Sequence, residues 1–203
     1  MKLTAAAWVS ERPDEDWDVA AAAATWVHER ARDEGSTPVL VTAVFQSYGP
    51  TIDDLARRYP RTTQARDRHR EAGPVLSYVP DEVQLHLAMR IADQSSLGAV
   101  EGTLSPLEGW AAYLGAVNLR TGEQTPPLPE PLSDAVKHLR FYGNNAFSVP
   151  YDKQEAQSIV TPFSGDERTR ELLLGAVLAA GVSDRGVKNL QRVMEKHSTG
   201  RHR

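Results

Sequence analysis

The chain of 203 residues is 40% hydrophobic and 25% charged, which is typical of a globular protein and too apolar for a disordered one. It contains no cysteine, which excludes disulfides, thiolate metal sites, iron–sulfur clusters and a cysteine nucleophile. Its net charge of −4 argues against a protein that is covered in basic surface for binding nucleic acid.

The N-terminal segment carries an apolar run over residues 3–9, which is too short for a signal peptide because acidic residues begin at Glu11. Apolar runs elsewhere are far below the roughly 20 residues that cross a bilayer. We therefore expect a cytoplasmic protein with no membrane partner.

The first part of the chain alternates predicted strands with predicted helices. Apolar, β-branched runs predict strands over 3–9, 38–45, 75–79 and 96–101, and helices are expected over 14–33, 51–59, 81–93 and 106–114. Residues 116–123 are expected to form a short strand and a turn. This order predicts an α/β fold, with a mainly parallel sheet of about four strands joined by right-handed crossover helices.

Two of these segments carry the strongest periodicity. The run over 38–45 is continuously apolar or β-branched, as in a strand that is buried on both faces, so it is expected to be central in the sheet. The helix over 14–33 repeats apolar residues at three- and four-residue spacing, which predicts one buried face. The members of that face are Trp17, Ala20, Ala24, Val27 and Ala31.

The proline-rich stretch Thr125–Pro131 is the natural linker of the chain. It divides an α/β domain over 1–125 from a helical region over 126–203, which can pack on the first. Helices are predicted there at about 132–141, 152–161, 167–180 and 184–197. The final third of the chain is therefore expected to be helical.

Three polar residues follow the predicted strands directly. In an open parallel sheet, ligands bind beyond the carboxyl ends of the strands, and Ser47, Asp81 and Glu101 stand at such ends. They predict a small-molecule or enzyme site at that edge. The alternative is that Asp81 only caps its helix and that Glu101 is only solvated.

The string Phe141–Phe147 is the most unusual local sequence, because Gly143 is followed by two asparagines between aromatic residues. One interpretation is a ligand-binding loop in which Asn144 and Asn145 supply amide donors and acceptors. The other is a helix C-cap with Gly143 in the left-handed conformation.

Motifs for cofactors and metals are missing from the sequence. No glycine-rich phosphate-binding loop occurs, and the six histidines lack the spacing of zinc ligands, so no cofactor and no metal are expected. A cluster of six arginines could bind phosphate or could form a solvated face. Its members are Arg57, Arg58, Arg61, Arg66, Arg68 and Arg70.

The segment from Leu173 to Leu190 resembles the helix-turn-helix of bacterial regulators. Gly181 falls at the turn, and Val187 and Leu190 fall at the buried positions of the second helix. Two departures are Val177, where a small residue is usual, and Gly186, which weakens the start of the second helix. The resemblance implies that five residues face DNA: Ser183, Arg185, Lys188, Asn189 and Arg192.

The strings Gly109–Ala116, Leu119–Glu123 and Phe141–Asn145 are similar to segments of uncharacterised proteins from high-GC Gram-positive bacteria. That resemblance spans much of the chain after Pro38 and implies a bacterial source without a function.

The first functional hypothesis is a non-enzymatic binding protein that contacts DNA through its C-terminal helix pair. The second is an enzyme or ligand binder at the strand ends, and the third is a structural or oligomeric partner protein.

Overall fold

The computed structural model describes residues 2–10, 17–63, 73–102 and 106–199. They form two compact units. The first consists of Met1–Ser105 and Ala116–Gln124, and the second consists of Pro106–Gly115 and Thr125–Arg203. We refer to them as the sheet unit and the helical unit.

The described residues of the sheet unit form six strands, and every pair of neighbouring strands is parallel. They are β1 (Ala5–Ser10), β2 (Val39–Thr42), β3 (Arg61–Thr62), β4 (Val75–Tyr78), β5 (Ser96–Glu101) and β6 (Val117–Asn118), and their order is β3-β2-β4-β5-β1-β6. The predicted parallel α/β architecture is confirmed. The described residues form six strands where about four were predicted: β6 lies in the segment 116–123 that was expected to contain a short strand, and the two-residue strand β3 was not predicted.

Strand β2 lies inside the sheet, since it pairs with β3 on one side and with β4 on the other. All four of its residues are buried, as the continuous apolar run predicts. The strand ends at Thr42 and not at Phe45, and it is second from the sheet edge. Val44 and Phe45 leave the sheet and are exposed to solvent.

Three helices cover the sheet: α1 (Val19–Glu34), α2 (Pro50–Arg58) and α3 (Glu82–Ile91). Helix α1 begins after Asp18, whose carboxylate accepts a hydrogen bond from the Ala21 amide, and it ends at Gly35 with a φ of 61°. Of the predicted apolar face, Trp17 precedes the helix and is partly buried, and the other four residues are buried. The predicted start of the helix at 14–16 lies outside the described residues.

The main core of the sheet unit lies between the sheet and the helices α1 and α2. Among its buried residues are Val27, Leu40, Ile52, Leu76 and Val100. Helix α3 packs against β4 and β2, and right-handed crossovers place it on the opposite face of the sheet. The strands are therefore buried on both faces, which explains their apolar composition.

The helical unit contains five α-helices among its described residues. They are α4 (Glu108–Leu114), α5 (Glu130–Tyr142), α6 (Pro150–Val160), α7 (Glu167–Ala179) and α8 (Asp184–Thr199). Helices α5 to α8 stand where the periodicity predicts them. Their core is formed by fully buried side chains, of which the largest are Leu107, Trp110, Leu139, Leu173, Leu190 and Met194.

Helix α4 belongs to the helical unit although it precedes the proline-rich stretch in the chain. It packs along α7 at a separation that only glycine permits. A Cβ atom at Gly109 would overlap the backbone of Leu172, and one at Gly175 would lie 3.0 Å from the Trp110 nitrogen. The two glycines therefore set the spacing of this helix pair.

No helix in the described part of the chain combines the length and the apolar character needed to cross a membrane.

Candidate functional site

Helices α7 and α8 are in contact and are joined by a turn at Gly181. This glycine has a φ of 94°, a conformation that side chains other than glycine adopt with strain. Its amide donates to the carbonyl of Leu178 at 2.9 Å and closes the end of α7. Val182, Val187 and Leu190 are each at most 3% exposed, so the predicted buried positions of the pair are confirmed.

Two of the five residues expected at DNA are used within the fold. The hydroxyl of Ser183 accepts a hydrogen bond from the Gly186 amide at 3.2 Å and caps α8. The side-chain amide of Asn189 donates to the Ala146 carbonyl at 2.9 Å, and its oxygen accepts from Arg192 at 3.0 Å. Ser183 and Asn189 thus hold the helix in place.

The remaining cations lie on the solvent side of α8. Arg185, Arg192 and Lys196 are exposed and Lys188 is half-buried, while Met194 belongs to the buried face. Spacings of three and four residues place these cations on one helical face. We call Arg185, Lys188, Arg192 and Lys196 the basic stripe. The sequence interpretation missed Lys196, which the same four-residue spacing after Arg192 could have identified.

The asparagines at the end of α5 lie in a short 3-10 helix, Gly143–Asn145, and both are exposed. The left-handed residues here are Ala146 and Phe147, with φ of 52° and 54°, whereas Gly143 has a φ of −78°. The predicted left-handed cap at Gly143 is therefore wrong. A Cβ at Gly143 would instead collide with Val182, so this glycine permits the close packing of the turn against the helix pair.

The second predicted site lies at the carboxyl edge of the sheet. Strands β2, β4 and β5 are neighbours, so the strand ends followed by Ser47, Asp81 and Glu101 stand next to one another. The chain leaves β2 towards β3 and leaves β4 towards β5, in opposite directions along the sheet. In open α/β sheets, ligands bind beyond the strand ends at which the chain reverses direction in this way.

Local hydrogen bonds occupy two of the three predicted side chains at this edge. The Asp81 carboxylate accepts from the amides of Val83 at 2.7 Å and Gln84 at 3.0 Å, so it caps α3 as the alternative interpretation holds. Ser47 donates to Asp53 at 2.5 Å. This bond, together with the Tyr48 amide, lowers the pKa of Asp53. Glu101 is the last residue of β5 and is half-buried.

Arg61 organises the loop that follows β2, a role that no sequence signal indicated. Its guanidinium donates to the Thr42 hydroxyl at 2.9 Å and to the carbonyls of Val44 at 2.6 Å and Gln46 at 2.9 Å. It also stacks on the rings of Phe45 and Tyr48, at 5.4 and 5.5 Å from their centroids. Phe45, 67% exposed, therefore lies in a loop after β2 that Arg61 holds in place.

Val79 gives the carboxyl edge a strained backbone. Its φ of 47° is unusual for a β-branched residue, and such outliers concentrate at functional sites. The Val79 amide donates to the Val100 carbonyl at 3.0 Å. A Cβ at Gly102 would clash with the Val79 side chain, so that glycine makes room for the unusual conformation.

The other arginines of the predicted phosphate cluster show no common site. Arg57 and Arg58 both pair with Asp54 on the surface of α2, while Arg66, Arg68 and Arg70 lie outside the described residues. Within the described residues, no three acidic or histidine side chains come together as metal ligands.

Comparisons with protein-family models, with curated proteins and with solved structures find no match to this chain.

Proposed function

We propose that the chain is a DNA-binding protein whose contact surface is the basic stripe of α8. The observation that carries the proposal is the exposure of these cations on the second helix of a pair that turns at Gly181. A second helix presented in this way can enter the major groove while its cations contact phosphates. Ser183 and Asn189 take a supporting role in this proposal, because they fix the start and the orientation of α8.

The charge of the whole chain restricts how this binding works. A net charge of −4 provides no general attraction for DNA, so the local stripe has to supply the phosphate contacts. Asp184 and Glu195 belong to the same helix, and their negative charges weaken the positive electrostatic potential of the basic stripe. Binding is therefore expected to be moderate in affinity and strongly reduced by salt.

The absence of cysteine permits a direct test of where DNA binds. Gln191, an exposed residue of α8, is replaced by cysteine and labelled with an environment-sensitive fluorophore. In a matched control the label is placed at Arg57, which is exposed in the sheet unit. We expect duplex DNA to change the fluorescence at Gln191 with saturation and to leave the signal at Arg57 unchanged. A response at Arg57 alone would contradict the assignment to α8.

A second candidate function is the binding of a small molecule at the carboxyl edge of the sheet. It is favoured by the reversal of chain direction between β2 and β4, together with the strain at Val79. Phe45 offers an exposed ring in the loop that follows β2, so the ligand is expected to contain a planar apolar group.

A thermal-shift screen with aromatic fragments tests the second candidate. A ligand at 100 times its Kd stabilises the folded chain by about 2.7 kcal/mol, which raises the melting temperature measurably. We expect the Phe45→Ala variant to lose the response, since the ring is exposed and adds little to the core. A response that is identical in Phe45→Ala and in the unmodified chain would place the ligand elsewhere.

A further inference from the structure

Arg192 is held by a hydrogen bond to another side chain of its own helix. Its Nη1 atom donates to Oδ1 of Asn189 at 3.0 Å, about one turn earlier in α8. Arg185 and Lys188, by contrast, make no hydrogen bond or ion pair with the described residues. The acceptor is a neutral amide oxygen, so the bond restricts the guanidinium group of Arg192 and leaves its positive charge uncompensated.

Asn189 is fixed in turn by the chain that connects α5 to α6. Its Nδ2 atom donates to the Ala146 carbonyl at 2.9 Å, which joins residues that are 43 positions apart in the chain. The amide has its donor and its acceptor on opposite sides, so a bond from Nδ2 to Ala146 sets the direction of Oδ1. A continuous chain of hydrogen bonds therefore runs from the Ala146 carbonyl to the guanidinium group of Arg192.

The turn that carries the Ala146 carbonyl is a firm support. The Ala146 amide donates to the Gly143 carbonyl at 2.9 Å, and the side chain of Phe147 is only 4% exposed. Ala146 and Phe147 both have a positive φ, which persists in residues other than glycine only where surrounding contacts impose it. Gly186 allows close approach to α8, since a Cβ there would overlap Val182 and lie 3.4 Å from the Cα of Ala146.

We propose that Asn189 is a positioning residue that holds Arg192 for a two-point contact with a DNA phosphate. A guanidinium group has five N–H donors in a planar fork, so those not used by Asn189 can form two parallel bonds to phosphate oxygens. Fixing the side chain beforehand reduces the entropy that is lost on binding. This inference rests on the DNA-binding proposal. It goes beyond the placement of α8, because Asn189 then acts through one particular cation.

A double-mutant cycle in DNA affinity separates this role from a purely structural one. Fluorescence anisotropy of a labelled duplex at low salt gives the Kd of the full-length chain, of Asn189→Ala, of Arg192→Ala and of the double variant. Asn189→Ala is expected to weaken binding about fivefold, as for the loss of one preordered long side chain. In the Arg192→Ala background the same substitution is expected to have no further effect.

Ser183→Ala is the matched comparison for this cycle. Ser183 caps α8 and contacts no cation of the basic stripe, so its removal affects only the helix itself. Any loss of DNA affinity that Ser183→Ala causes is expected to be equally large in the Arg192→Ala background, because distant and independent sites act additively.

Arg192→Lys tests the same contact without disturbing the turn at Ala146. Lysine keeps the charge but lacks the planar fork, and Arg192 is exposed, so the fold is preserved. We expect about fivefold weaker binding, and a larger loss than Arg185→Lys causes.

Three results would overturn the positioning role and leave DNA binding by α8 intact. They are an Asn189→Ala variant that binds as tightly as the unmodified chain, a loss that persists in full in the Arg192→Ala background, and an Arg192→Lys variant with undiminished affinity. An unmodified chain that does not bind the duplex at low salt would overturn the DNA-binding proposal and this inference together.

Discussion

Replacing Gly109 by alanine is expected to destabilise the helical unit by about 2 kcal/mol or more, because the new methyl group overlaps the backbone of Leu172. Backbone atoms cannot rotate away as a flexible side chain can, so α4 and α7 have to separate. Trp110, the neighbouring residue and one of the largest fully buried side chains, then loses part of its packing. In a unit of this size the loss corresponds to roughly 10 °C in Tm.

Whether Gly109→Ala lowers or raises the stability decides between close approach of the two helices and its absence. Alanine is a better helix former than glycine by up to about 1 kcal/mol, so without the close approach the substitution would raise stability. Gly175→Ala is the graded comparison, since its Cβ would lie 3.0 Å from the Trp110 nitrogen and requires a smaller adjustment. Thermal unfolding followed by circular dichroism should place Gly109→Ala lowest and Gly175→Ala between it and the unmodified chain. A Gly109→Ala variant that is as stable as the unmodified chain would show that the helices are not in this contact.

Removing three cations of the basic stripe should abolish most of the affinity for DNA. The variant Arg185→Ala/Lys188→Ala/Arg192→Ala eliminates three phosphate contacts and the release of their counterions, which at low salt corresponds to at least about 100-fold in affinity. The buried face of α8 is untouched, so folding is expected to persist. The matched control is Arg32→Ala/Arg57→Ala/Arg58→Ala, which removes the same charge from exposed positions of the sheet unit. The fluorescence anisotropy of a labelled duplex, titrated at low salt, measures the DNA affinity of both variants.

Apolar periodicity and helix caps predicted most of the helices and strands, because these signals depend only on residues that are close together in the chain. The apolar spacing of Ala24, Val27 and Ala31 identified the buried face of α1. The partner of α4 was beyond such reasoning. Gly109 and Gly175 are far apart in the chain, and glycine alone does not specify which backbone approaches it. The edge strand β3 has only two residues, too few for any periodic signal.

The candidate sites show the same division between local and distant contacts. The buried positions Val187 and Leu190 followed from the resemblance to a helix-turn-helix, whereas the bond between Asn189 and Ala146 joins residues that no pattern connects. Arg61 appeared in the sequence as one arginine among six, and only the fold shows that it binds three oxygen atoms of the preceding loop. Side chains that serve the fold and those that face a partner cannot be separated until these distant contacts are known.

The most direct test of DNA binding by α8 is the slope of log K against log salt concentration for the full-length chain. Four cations in contact with the phosphates of duplex DNA predict a slope of about −3.6, and the loss of three of them predicts a slope near −0.9. The sheet-unit control should keep the slope of the unmodified chain. Equal slopes for the unmodified chain and the basic-stripe variant would contradict the account, because the phosphate contacts would then lie outside α8.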